Sequence, residues 1–332
     1  MPIALRSQPQ PFAVLPVALL GALVAVGLAV AASPAAAAAA TAATTEPAAA
    51  PIVTVNPVVL QGAADGKALR LRVTAPRDGR QLPILLFSHG SQYSKDDYTA
   101  LSEFWASHGY VVIQPSHIEA LALGLPRDDA RIKDAWRTRV LDMTKVLDSL
   151  AEIERQAPML KGRLDRKRVV AAGHSFGGHT TAALIGGTMP DEKADLTDPR
   201  VLAGVMLAPP PAAPGFRNLA WKDGARPALT IVGLDDVIPG FNDNWRAHAD
   251  YYDRSKAGQC MAALVGVQHF LGGTLGFHRI EEKTPNDAAL VQVQRLSLAF
   301  LDAQVRGGKD WEPLRQQLLA SRPAAIGAFE CR

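Results

Sequence analysis

The sequence predicts an α/β fold with a mostly parallel central sheet and helices on both faces. Two observations carry that prediction. Short apolar runs of strand length alternate with segments of helical period, and strands buried on both faces read as such unbroken runs. The polar residues that stand out by position also fall directly after these runs, at what would be the carboxyl edge of the sheet, where ligands bind in open α/β sheets.

In chain order, Ile52 to Leu60 and Ala68 to Ala75 flank Asp65-Gly66 and read as an antiparallel pair. Pro83 to Phe87 and Tyr110 to Gln114 are short buried strands, with a helix over Asp97 to His108 ended by Gly109. Pro115 to Arg131 has turn residues and no clean period, so it reads as a loop and a wall for a ligand. Lys133 to Gln156 carries Val140, Met143, Val146, Leu147, Leu150 and Ile153 at helical spacing and predicts one long helix. The basic cluster Arg163 to Arg168 precedes the next strand and reads as a solvated turn. Val201 to Ala208, Pro227 to Gly233 and Met261 to Val267 continue the strands, the last of these being the final one. Asn244 to Tyr252 and Asn286 to Arg306 read as helices.

The strand over Val169 to Ala172 runs into Gly173-His174-Ser175-Phe176-Gly177 and then Ala182-Ala183-Leu184-Ile185, a strand, turn and helix around Gly-x-Ser-x-Gly. A nucleophile elbow needs that context. The turn is strained, small residues must stand two before and two after the serine, and the first helical N–H, from Phe176, is aimed at a developing oxyanion. A serine hydroxyl also needs a base, and that base needs a carboxylate to hold it. Of the eight histidines, only His269 directly follows a late apolar strand. His89 and His174 flank glycine turns and read as residues that pack or hydrogen-bond locally. His108 and His248 lie on helices, His117 in the loop after the second parallel strand, His179 one turn into the elbow helix and His278 beyond Gly272-Gly273. For the acid, Asp235 and Asp236 both follow Gly233. Asp236 is favoured because it leaves room for a turn that aims the carboxylate back. The second oxyanion donor is expected after Pro83–Phe87, from the backbone of Ser91 or, second, Gln92.

With these residues placed, the chain resembles the α/β-hydrolases, and among them the platelet-activating-factor acetylhydrolases and the dienelactone-hydrolase-like bacterial esterases. The resemblance rests on Leu-Leu-Phe-Ser-His-Gly (85–90), Ala-Ser-His-Gly-Tyr-Val-Val (106–112), Gly-His-Ser-Phe-Gly-Gly (173–178) and Leu-Ala-Phe-Leu (298–301). It implies serine ester hydrolysis through Ser175, His269 and Asp236, with no cofactor and no metal. Two departures limit it. The acetylhydrolases carry their acid one strand earlier, where this chain has Leu207-Ala208-Pro209-Pro210. Dienelactone hydrolases use cysteine where this chain has Ser175. The short stretch before Pro227 implies little or no lid, hence short-chain or accessible esters, small or polymeric. An amidase or peptidase with the same triad, or a fold that only binds, are the alternatives.

Residues 1–32 read as a secretory signal peptide with an uncleaved anchor as the other reading, 33–51 as a disordered Ala/Pro-rich leader, and 52–332 as the catalytic domain. A secreted or periplasmic location follows, with no stable membrane partner once the signal is cleaved. The net charge is +3 with scattered basic residues, which argues against a nucleic-acid partner. The two cysteines, Cys260 and Cys331, then sit in an oxidising compartment and are expected to pair.

Overall fold

The structure is a computed structural model, and it describes residues 49–63, 66–188, 195–211, 220–223, 225–274 and 286–332. The signal peptide, nearly all of the leader and His278 lie outside the described residues. So does much of the stretch on which the absence of a lid was inferred (212–219).

The first half holds β1 (Ile52–Leu60), β2 (Leu69–Pro76), β3 (Leu82–Ser88), α1 (Thr99–Ser107), β4 (Val111–Pro115), α2 (Ala135–Asp148) and α3 (Leu150–Gln156). Then come β5 (Leu164–His174), α4 (Phe176–Leu184), β6 (Gly187–Thr188), β7 (Val201–Leu207), β8 (Ala220–Trp221), β9 (Ala228–Gly233) and α5 (Asp250–Asp253). The chain closes with β10 (Gln259–Leu264), α6 (Asp287–Val305), α7 (Trp311–Ala320) and β11 (Ile326–Cys331).

Nine strands form one sheet in the order β1-β2-β4-β3-β5-β7-β9-β10-β11, and β6 pairs with β8 apart from it. The strands from β4 to β10 are parallel. Antiparallel β2 and β1 extend one edge and antiparallel β11 the other. The order reverses direction at β3, so the edge between β3 and β5 is a switch point of the kind that leaves a crevice.

Period-two alternation divides the core between two faces. Leu85, Phe87, Val170, Ala172, Val205 and Leu207 pack on α1, α6 and α7 through Leu101, Trp105, Leu296, Phe300 and Trp311. Ile84, Leu86, Val169, Ala171 and Met206 point the other way, onto α2, α3 and α4 through Val140, Met143, Ile153 and Leu184. Helices on both faces satisfy a parallel sheet that has no polar side.

Several expectations need correction. The helix over Lys133 to Gln156 breaks at Ser149, whose ψ is 16°, and Ala130–Asp134 is a separate 3-10 turn. Asp and Ser offer the backbone competing hydrogen bonds, and Asp148-Ser149 interrupts the stripe without turning it from the core. Of the Arg163 to Arg168 cluster, only Arg163 stands in a turn. Leu164 and Asp165 already pair with Leu82 and Pro83, so Arg166, Lys167 and Arg168 belong to the start of β5, where the first two are exposed. Asn244 to Tyr252 is a 3-10 turn (Trp245–Ala249) followed by the short α5. The strand at Met261 is not the last. β11 adds to its free edge and sets Cys260 opposite Cys331, which form a disulfide. Among the described residues no helix is long and apolar enough to cross a membrane.

Candidate active site

β5 delivers Ser175 on a turn whose strain is visible in the backbone. Its φ is 51° and ψ is −121°, and α4 begins at the next residue. A β-carbon at Gly173 would collide with the Gly177 carbonyl, and one at Gly177 with the Ser88 carbonyl. Both positions therefore demand glycine, and the elbow is locked against the end of β3. The Ser175 N–H donates to the Leu207 carbonyl at 2.8 Å, which ties the turn to β7. Phe176 heads α4, so its N–H lies at the positive end of the helix.

The turn after β9 carries Asp236, which is 1% exposed, while Asp235 beside it is exposed. Asn242 shapes this turn by donating to the Asp236 carbonyl at 2.7 Å and accepting from the Ile238 N–H at 2.8 Å. The loop after β10 brings His269 to the carboxylate, with Nδ1 at 2.9 Å from Asp236 Oδ2. A carboxylate cannot donate, so the proton is on Nδ1 and Nε2 is left to accept one. Burial pushes the Asp236 carboxyl up, but the two imidazoles beside it, His248 and His269, outweigh burial and hold the group well below the usual carboxylate range.

Two residues were not singled out by position in the sequence. His248 donates from Nδ1 to the Pro209 carbonyl at 2.7 Å, and its Nε2 lies 3.3 Å from Asp236 Oδ1. Asp236 thus stands between two imidazoles, and the His248 and His269 ring centroids are 5.3 Å apart. No local pattern marks His248, because its partners come from other strands. Arg139 is wholly buried beneath the loop after β3. It pairs with Glu119, donates to the His89 carbonyl at 2.6 Å and lies 4.5 Å over the Phe176 ring. A signal for it did exist: Arg139 and Asp142 occupy the same buried stripe of α2 as Ala135 and Met143.

His117 and His174 also depart from expectation. His117 is buried, because the first part of its loop folds inward. Its Nδ1 donates to Asp142 at 2.9 Å and its Nε2 accepts from the Ser88 hydroxyl at 3.0 Å. His174 reaches far from its turn to the backbone of His269 at 2.7 Å, so its hydrogen bonding is not local.

Ser91 is exposed and Gln92 has φ 69°, in the turn closed by the Tyr93 N–H on the Gly90 carbonyl at 3.2 Å. The Leu121 N–H donates to the Gln92 carbonyl at 3.1 Å and joins this turn to the loop after β4.

A family model described as Chlorophyllase matches residues 49–197, which takes in β1 to β5 and the elbow but stops before Asp236 and His269. The chain belongs to the α/β-hydrolase superfamily. Curated relatives agree with an α/β-hydrolase of this kind. Chlorophyllase type 0 of Chenopodium album is 27% identical over 137 residues, covering 40% of this chain and 37% of the relative. Platelet-activating factor acetylhydrolase of Cavia porcellus is 28% identical over 138 residues, covering 31% of this chain and 32% of the relative. The chain therefore spans about a third of the length of these relatives.

Proposed function

We propose that this α/β-hydrolase is an exported serine carboxylic-ester hydrolase. The observation that carries the reading is the buried Asp236 carboxylate hydrogen-bonded at 2.9 Å to His269 Nδ1, at the same sheet edge as the strained Ser175 elbow. Asp236 fixes the tautomer in which His269 Nε2 takes the proton of the Ser175 hydroxyl. The resulting alkoxide character attacks the ester carbonyl. The N–H groups of Phe176 and Ser91 receive the tetrahedral oxyanion, with Gln92 the other donor the turn could supply. His269 then returns its proton to the departing alcohol, and water, activated by the same imidazole, releases the acid from the acyl-enzyme. None of these steps calls for a cofactor.

The names of the two relatives support an ester as substrate. The reading extends to short-chain or accessible esters, small or polymeric. The Cys260–Cys331 disulfide supports export, since such bonds persist in oxidising compartments. Turnover of p-nitrophenyl butyrate by the purified chain tests the proposal. It should fall by about four to six orders of magnitude in Ser175→Ala. Full activity in that variant would overturn it.

A further inference from the structure

A single run of hydrogen bonds joins three parts of the site. The Gly90 N–H, in the turn after β3, donates to the Tyr98 hydroxyl at 3.0 Å. The Tyr98 hydroxyl lies 2.8 Å from His174 Nδ1, and His174 Nε2 lies 2.7 Å from the His269 carbonyl. The direction of every bond is settled by chemistry. A carbonyl only accepts, so the one proton of a neutral His174 is on Nε2. His174 Nδ1 then accepts, so Tyr98 donates to it, and the Tyr98 oxygen accepts from Gly90. Burial, then the neighbouring His269, push the His174 imidazole down to about 3, so it is neutral near pH 7. Burial likewise raises the Tyr98 phenol well above its ordinary value and keeps its proton in place.

Three features mark this run as built. Tyr98 and His174 are both 0% exposed. Tyr98 holds φ at 68°, an unfavourable conformation for a bulky residue that costs on the order of 1 kcal/mol. A β-carbon on Gly90 would stand 2.7 Å from the Tyr98 oxygen and 3.2 Å from His174 Nδ1, so the turn is packed directly on the pair.

We propose that Tyr98 and His174 are positioning residues that fix the oxyanion turn, the elbow and the backbone of the catalytic base in one register. The proposal rests on the ester-hydrolase reading above. Asp236 holds the ring of His269 from one side and His174 holds its backbone from the other. Gly90, one residue before Ser91, is anchored to the same chain. A shift of about 1 Å in such an arrangement costs on the order of a hundredfold in rate. Because the chain touches neither substrate nor the transferred proton, its loss should slow the chemical step and spare ground-state binding.

The test uses the full chain and p-nitrophenyl butyrate. Tyr98→Phe removes the acceptor for Gly90 and the donor for His174. Its kcat should fall about ten- to a hundredfold, with KM within twofold of wild type. Ser297→Ala is the control for structure alone, since it deletes the buried 3.0 Å bond from Trp105 of α1 to Ser297. It should lower the thermal midpoint comparably and leave kcat unchanged. If Tyr98→Phe does not fold, His174→Gln and His174→Phe replace it. Gln keeps the donor to His269 and Phe keeps neither bond, so kcat should fall in the order wild type, Gln, Phe. A Tyr98→Phe kcat within twofold of wild type, an equal kcat loss in Ser297→Ala, or equal rates for the two His174 variants would overturn the role. Absence of turnover in wild type itself would instead overturn the ester-hydrolase reading, and this role with it.

Discussion

Two sets of aspartate and histidine stand in this molecule with nearly the same hydrogen bond, and the proposed function assigns chemistry to only one of them. Asp236 meets His269 Nδ1 at 2.9 Å, and Asp142 meets His117 Nδ1 at 2.9 Å. The second set even has a serine, Ser88, at 3.0 Å from His117 Nε2. The difference lies in backbone and access. Ser88 is a fully buried residue of β3, whereas Ser175 is partly exposed on a turn with φ 51° at the head of a helix. The His269 side chain is 17% exposed and that of His117 is 0%. Burial and the nearby Arg139 charge also hold the His117 imidazole well below its ordinary value, so it resists becoming the imidazolium that a general base must become. The inner set is a structural lock under the turn after β3. Residue types and the distance from aspartate to histidine would not separate the two.

The sharpest break in the comparison is a pair of serine variants. Ser175→Ala should abolish esterase turnover, while Ser88→Ala should keep it within a few-fold and lose about 1–3 kcal/mol of stability, because His117 Nε2 is left buried without its donor. Steady-state rates and denaturant midpoints on both variants would show this. The acids should divide in the same way. Asp236→Asn should lower kcat by about 10⁴ by favouring the wrong tautomer of His269. Asp142→Asn should act mainly on the denaturant midpoint.

Away from both sets, the disulfide closes a separation of 71 residues between β10 and β11. Cys331→Ser should lower stability by about 4 kcal/mol on the chain-entropy account, with kcat unchanged in the folded fraction. Denaturant titration of the two proteins measures this.

The remaining effect is on pH. His117 and His179 are held neutral by burial in the native chain, and the unfolded chain protonates them near 6.5. A depressed value means the native state binds fewer protons. The stability they contribute is present above about 6.5 and is lost as pH falls, towards about 3 for His179. Each group gives a slope of about 1.4 kcal/mol per pH unit inside that window. A folding free energy measured from pH 7.5 to 5 should decline below 6.5, and His117→Gln should flatten the decline.

Much of this arrangement was legible in the sequence because it depends on local pattern. The parallel strands were visible as apolar runs, and the elbow as glycines spaced around Ser175. His269 could be chosen because it directly follows an apolar run, and Asp236 because it leaves room for a turn after Gly233. The edge strand β11 was not visible, since Gly327 and Ala328 dilute its alternation and only Ile326 and Phe329 are buried. Helix α7 did carry a signal, with Trp311, Leu314 and Leu318 at helical spacing, although Pro313 obscures its start. His248, Arg139 and the link from Tyr98 through His174 depend on contacts between distant segments. His174 and His269 are 95 residues apart, and no spacing rule connects them.

The most direct test is to treat the protein with a fluorophosphonate at neutral pH and locate the adduct by peptide mass spectrometry. The account predicts one phosphonylated serine, Ser175, with Ser88 unmodified and labelling abolished in His269→Ala. An adduct on another serine, or none on active protein, would contradict it.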